Sequence, residues 1–201
     1  MTASDTSLCA VSDEERKRKD SDLVNKVGQD DSIFSDENIT SEIRAAGDAF
    51  TQYLWAEIPI CKQMEITAFP IHRERFILAA PLPPNRNVHG TAFAGSLYTV
   101  MSMSGWGLIR TELDRRLVEM MRARADLWLT KASIRYVDPV ETAFHAVAEL
   151  DGKSLDQFWN KLVRKGRGKI RLNTVIGDPK KPLVLLQGEY AAKLVVDEMG
   201  I

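Results

Sequence analysis

The chain has 201 residues, 44% of them hydrophobic and 27% charged, which fits one globular domain with a real core, alone or with an appendage. A formal net charge of -1 supplies no global field to recruit nucleic acid or an anionic membrane. Two cysteines, Cys9 and Cys61, are too few for a disulfide framework and fit no metal-ligand spacing. A reducing, cytoplasmic setting without metal or cofactor is the simplest reading.

Residues 1–38 are polar and rich in Asp, Ser, Glu and Lys. Such a segment cannot bury enough apolar surface to offset its ordering entropy, so a disordered tail is expected there and a single domain over 39–201. The tail lacks the apolar stretch of a signal peptide and is too acidic for a transit peptide. Its basic run RKRK has acidic neighbours and reads as solvated charge.

TSEIRAAGDAFTQYLWAEIP follows, with Ile43, Ala46, Phe50 and Leu54 at the three-four spacing of one helical face. Thr40 or Ser41 can cap this helix and Pro59 is expected to stop it. KQMEITAF and HRERFILAAPL then read as two short strands separated near Pro70.

The next stretch, PPNRNVHGTAFAGSLYTVMSMSGWGLIR, carries no charge from Gly90 to Ile109. That run could span a bilayer by length alone. Its five Ser/Thr and four Gly, and the charged RTELDRR that follows, instead predict a buried helix of a non-membrane protein. A helix from about Gly90, of about 18 residues, is roughly 27 Å long. Small residues such as Ala94, Gly95, Ser96, Ser102 and Gly105 let a sheet or a second subunit approach it closely.

DLWLTKASIRYV reads as a strand in which Trp128, Thr130, Ala132, Ile134 and Tyr136 alternate with Leu129, Lys131, Ser133 and Arg135. TAFHAVAEL is another strand and SLDQFWNKLVRKG a short amphipathic helix. GKIRLNTVIGD and PLVLLQGEYAAKLVV close the chain as strands joined by a Gly-Asp-Pro turn. Short connections favour an antiparallel sheet, with the long helix covering one face. A single copy would leave an edge and a helix flank open, so a homodimer, with tetramers as a further step, is expected.

Pro84-Asn85-x-Asn87, His89-Gly90-Thr91-Ala92-Phe93, Gly95-Ser96-Leu97-Tyr98 and Gly105-Trp106-Gly107 together resemble the signature of the thioesterase family named for the C-terminal domain of YiiD, a hotdog-fold group. ASIRYVDPV, LVRKGRGKIRL and QGEYAA look like its later strands, and the resemblance spans about residues 45–196. Ala94 departs from it, standing where the family pattern TAFGGS has Gly. Residues 1–40 are also too short for the acetyltransferase domain that precedes the hotdog in some members. The resemblance implies an α+β hotdog fold, an antiparallel sheet wrapped around a long central helix. It also implies a dimer with its active site at the N-terminus of that helix.

A helix N-terminus offers unpaired N–H groups and a positive dipole end, which aimed at a thioester carbonyl make an oxyanion hole. The N–H groups near Gly90 and Thr91 are the expected donors. Asn85 and Asn87 can present amides to the thioester or to water, or can simply form the turn. His89 is a candidate general base or a packed histidine. Phe93, Leu97, Met101 and Trp106 would line the acyl pocket, and Gly95 and Ser96 would face it, with plain packing the leading role for Ser96. Lys131 and Arg135, with Ser133 between them and Arg164, Lys165, Arg167, Lys169 and Arg171 beyond, could meet the phosphates of coenzyme A or an acidic carrier protein. They could equally be a solvated strand face.

No Asp or Glu occurs between Asn85 and Arg110. Hydrolysis of an acyl-CoA or acyl-carrier-protein thioester, the leading expectation, must then use His89, a carboxylate from elsewhere such as Asp126, or water polarised by asparagines. Decarboxylation of a malonyl thioester needs only enolate stabilisation and a dry pocket, and a non-catalytic acyl-thioester-binding protein is a third alternative.

Overall fold

The computed structural model describes residues 41–72, 74–118 and 123–196; the expectation of a disordered tail over 1–38 lies outside them. Helix α1 (Ser41–Glu57) leads into a short α2 (Pro59–Gln63). Strands β1 (Thr67–His72) and β2 (Arg75–Ala80) precede the long α3 (Ala94–Leu117). Strands β3 (Ala123–Tyr136) and β4 (Phe144–Glu149), helix α4 (Gly152–Lys165), and strands β5 (Arg167–Asp178) and β6 (Lys181–Val196) complete the order. The six strands form one sheet in the order β1-β2-β4-β5-β6-β3, antiparallel throughout.

Helix α3 lies across this sheet and packs on β2 to β6. Leu97, Val100, Met101, Leu108, Ile109 and Leu113 are buried beneath it. Its glycines set how closely it lies. A β-carbon on Gly105 would come within 2.3 Å of the Tyr190 hydroxyl, and one on Gly107 within 2.5 Å of the Phe76 ring. Ser104, fully buried, donates from its hydroxyl to the carbonyls of Phe76 and Ala146 at 2.9 Å each, fixing the helix over β2 and β4.

Helix α1 covers the free edge of β1. Ala68 N–H donates to Thr51 Oγ1 at 2.8 Å, and Trp55 Nε1 donates to Ile66 O at 2.7 Å. That cover blunts an edge that would otherwise invite pairing. Asp151 caps α4 by accepting the Ser154 N–H, and Gly166 ends it at φ 66°, a left-handed conformation that favours glycine. Arg116 ties α4 to α3 by pairing with Asp156 and lying over the Trp159 ring.

Four sequence-based expectations are corrected. Pro59 opens α2 instead of simply ending α1, because proline suits a first helical turn. Pro70 lies inside β1, which, as an edge strand, tolerates a missing donor. Helix α3 has 24 residues and starts at Ala94, not Gly90. In β3, the register against β6 slips between Leu129 and Lys131, and this bulge switches the strand's phase. Leu127 and Leu129 therefore face the core with Ile134, while Trp128 is 45% exposed on the other face.

Candidate active site

The start of α3 is set by a small hairpin. Phe93 N–H donates to Asn85 O at 2.7 Å, Asn87 N–H to Thr91 O at 2.8 Å, and Gly90 N–H to Asn87 O at 3.1 Å. Gly90 turns the chain at φ 84°, which explains a glycine there. Ala92 N–H donates to Val140 O at 2.7 Å, tying the hairpin to the loop after β3.

Asn87 is the hub. Its Oδ1 accepts the N–H groups of His89 (2.8 Å) and Thr91 (3.2 Å), and its Nδ2 donates to Thr91 Oγ1 at 2.9 Å. Asn85 is 1% exposed and donates from Nδ2 to Met64 O (2.9 Å) and Pro81 O (2.7 Å). Its amide is spent on holding chain segments together. His89 is exposed at the hairpin tip.

The N–H groups of Gly90 and Thr91, the expected oxyanion donors, are both bonded to Asn87 in this structure. The orphan donors lie four residues on. Phe93 is the N-cap residue and its side chain makes no capping bond. Among the described residues nothing accepts from the N–H groups of Ala94, Gly95 and Ser96. Three such groups at an uncapped helix start are what an anion or a developing oxyanion needs.

Phe93 and Tyr98 at the start of α3, and Tyr136 beside it, are exposed apolar groups, as are Val88 in the hairpin and Val137 after β3. The Phe93 ring is folded against Gly95, where a β-carbon would lie 2.5 Å from it. Tyr136, ending β3, donates from its hydroxyl to Ala94 O at 3.0 Å. Burial, and then the nearness of Tyr98, pushes the Tyr136 phenol above its ordinary pKa, so it stays a neutral donor. The sequence reading did not single out Tyr136 or the unpaired N–H groups of Ala94, Gly95 and Ser96. The available signal was the small-residue triplet Ala94-Gly95-Ser96 placed where a capping side chain is usual.

Other candidates lie elsewhere. Leu97 and Met101 belong to the core under the helix. Trp106 sits about 18 Å down the helix axis from Ala94. There it braces α1 to β3, stacked on Tyr53 and donating from Nε1 to Leu127 O at 3.2 Å. Lys131, Ser133 and Arg135 are exposed on the face of β3 opposite to Ile134 and the core, pointing away from α3. Within that outer layer, Lys169 and Arg171 both pair with Glu189. Asp126 pairs with Arg124. The described residues contain no cluster of His, Cys, Asp or Glu able to hold a metal ion, and no helix long and apolar enough to cross a membrane.

Residues 48–194 match the model of a family described as "Putative thioesterase (yiiD_Cterm)". The chain belongs to this thioesterase family. Solved structures agree. A protein of unknown function from Chlorobaculum tepidum is 27% identical, with 75% of this chain and 96% of that one covered and a TM-score of 0.66. One described as a "putative thioesterase" from Shewanella oneidensis is also 27% identical, covering 73% and 96% at a TM-score of 0.58. A thioesterase from Haemophilus influenzae, 9% identical, shares the fold at a TM-score of 0.53, covering 75% and 90%. The architecture is thus the hotdog fold of thioesterases, a long helix held against an antiparallel sheet.

Proposed function

We propose that this protein hydrolyses an acyl thioester, delivered on coenzyme A or a carrier protein in the cytoplasm, with the N–H groups of Ala94, Gly95 and Ser96 as its oxyanion hole. The observation that carries this reading is the uncapped start of α3, with three unpaired N–H groups flanked by the exposed Phe93 and Tyr98. The thioester oxygen would accept from these groups as water attacks the carbonyl carbon. Negative charge growing on that oxygen meets donors already in place, so little reorganisation is needed. Asn87 acts indirectly, holding the hairpin that fixes where α3 begins. His89, exposed beside the site, is the group of this stretch that can take a proton from the attacking water.

A homodimer completes the site in this reading. The exposed apolar side chains Val88, Phe93, Tyr98, Tyr136 and Val137, and the 14-residue edge strand β3, are surfaces a second copy would bury.

A second reading, decarboxylation of a malonyl thioester, is favoured by one specific observation. The segment Asn85–Arg110 supplies amides and hydroxyls but no carboxylate. Loss of carbon dioxide from a malonyl group leaves an enolate, which the same N–H groups would stabilise without a base to start the step.

The deciding experiment incubates the purified protein with a panel of acyl-CoA and acyl-carrier-protein thioesters, malonyl included, and follows free thiol and product mass. Free thiol across the panel supports hydrolysis. Acetyl thioester formed from malonyl thioester without free thiol supports the second reading. Binding without turnover defeats both and leaves an acyl-thioester-binding protein.

A further inference from the structure

We propose that residues 30–37, within the 40 residues that precede Ser41, dock across the outer face of the sheet, the face turned away from α3. Such docking does not depend on the reaction at the helix start. Phe69 of β1, Ile77 of β2, Val147 of β4, Val175 of β5 and Leu185 of β6 are successive cross-strand partners in one row, which ends at Arg135 of β3. With strands about 4.8 Å apart, this apolar row is about 19 Å long. All four helices contribute to the main core on the opposite face, through Leu54, Cys61, Leu108 and Phe158 among others, whereas Ile77 heads a separate cluster with Phe69, Ala143 and Val147. Ile77 is 2% exposed, although no helix among the described residues packs into that cluster.

Charge points to the same occupant. Beside the row, Lys131, Arg135, Arg167, Lys169, Arg171 and Lys193 share the outer face with Glu189. Lys169 and Arg171 pair with Glu189, and the neighbouring carboxylates Asp126 and Glu149 are taken by Arg124 and Arg75. Lys131, Arg135, Arg167 and Lys193 make no ion pair among the described residues. Residues 30–37, DDSIFSDE, carry the complementary pattern: four carboxylates, no basic residue, and Ile33-Phe34 at the centre. Such a segment cannot fold alone, but a ready apolar row flanked by free cations gives it a surface. Its reach fits as well. A β-carbon on Gly47 of α1 would lie 2.9 Å from Ala68 O and 3.8 Å from Phe69 C, so α1 begins six residues, about 9 Å, from the first member of the row. The seven residues from Phe34 to Ser41 span up to about 23 Å when extended. That is enough to lay Ile33 and Phe34 on Ile77 and Val147 and to carry Asp30 and Asp31 on toward Arg171, Lys131 and Arg135.

The test uses the full-length chain, with unlabelled and heavy-isotope-labelled protein mixed while unfolded and refolded together. A zero-length carbodiimide coupler then joins lysine amines to carboxylates in contact, and linked peptides are read by mass. Links from Lys131 or Lys169 to the carboxylates of residues 30–37 are expected within chains of one label. The double variant Ile33→Ser with Phe34→Ser, made in the full chain, is expected to lose them while keeping its Tm. Links that join chains of different label place the segment on a second copy and overturn the proposal. A wild type without these links leaves the face to a separate acidic partner and also overturns it. Links that survive the double variant undiminished show charge attraction without docking on the apolar row, which overturns it too.

Discussion

Asn87 and Thr91 hold each other three times: the Asn87 N–H donates to Thr91 O at 2.8 Å, its side-chain amide donates to Thr91 Oγ1 at 2.9 Å, and the Thr91 N–H donates back to Asn87 Oδ1 at 3.2 Å. With the His89 N–H on the same oxygen, one side chain closes the hairpin that precedes α3. Asn87→Ala removes the acceptor from two backbone donors. A lost hydrogen bond with an unmet partner costs about 1–3 kcal/mol, less here because the loop is only half buried, and Tm should fall by roughly 2–6 °C. Activity should fall further, by about a hundredfold, since a 1 Å shift of the helix start misplaces the donors. Calorimetry and steady-state kinetics check this, and an Asn87→Ala enzyme with unchanged kcat would refute the positioning role.

The glycines of α3 make a sharper stability prediction. Gly105→Ala drives a methyl into the Tyr190 hydroxyl, and Gly107→Ala drives one into the Phe76 ring. Alanine favours a helix over glycine by about 1 kcal/mol, so exposed sites would gain from this change. Here overpacking, which costs about 1–3 kcal/mol, opposes that gain. Gly105→Ala is expected to be destabilised, because Tyr190 is fully buried and its hydroxyl is pinned on Ser102 O. Denaturant melts of the two variants would read this, and a raised midpoint for Gly105→Ala would show that α3 can lift from the sheet at no cost.

These contacts mark what a sequence can and cannot disclose. The number and order of strands were legible because turn residues such as Asp138-Pro139 and Gly177-Asp178-Pro179 punctuate them. The uncharged run from Gly90 also announced a buried helix. Its true start was not legible, since the pairing of Ala92 with Val140 and of Phe93 with Asn85 is settled by tertiary contact. Asn85 looked like an available amide for the same reason, its acceptors lying on Met64 and Pro81. The phase of β3 was misread because Trp128 and Leu129 are both apolar, and only the bulge decides which faces the core.

Acid sensitivity should centre on Glu189. Lys169, then Arg171 and Thr130, hold its carboxyl down to about 2, against about 4.3 for a free glutamate. Glu112 moves the same way: burial would raise it, but Arg115 and Arg116 more than reverse that. A depressed carboxyl binds fewer protons folded than unfolded, so its stabilisation is complete above the unfolded value and is lost as pH falls from about 4 toward 2. Glu189→Gln should therefore flatten the fall of Tm across that window while changing little in its pH slope near neutrality. Melting curves from pH 7 to 2.5 test this, and an unaltered acid slope in the variant would show that the Lys169–Glu189–Arg171 cluster contributes nothing to folding.

His89 separates the two chemistries. It is exposed at the hairpin tip, and among the described residues its backbone N–H is engaged by Asn87 while its side chain makes no hydrogen bond, so truncating that side chain removes no bond to them. If water must be activated, His89→Ala loses the nearby proton acceptor, and general-base losses run about 100- to 10,000-fold. If a malonyl thioester loses carbon dioxide instead, the step starts without a base and His89→Ala should retain most of its rate. Measuring thiol release and acetyl-thioester formation in the same His89→Ala sample gives the answer directly. Hydrolysis that survives the substitution undiminished would remove His89 from the mechanism and move the search for a base outside the Asn85–Arg110 segment.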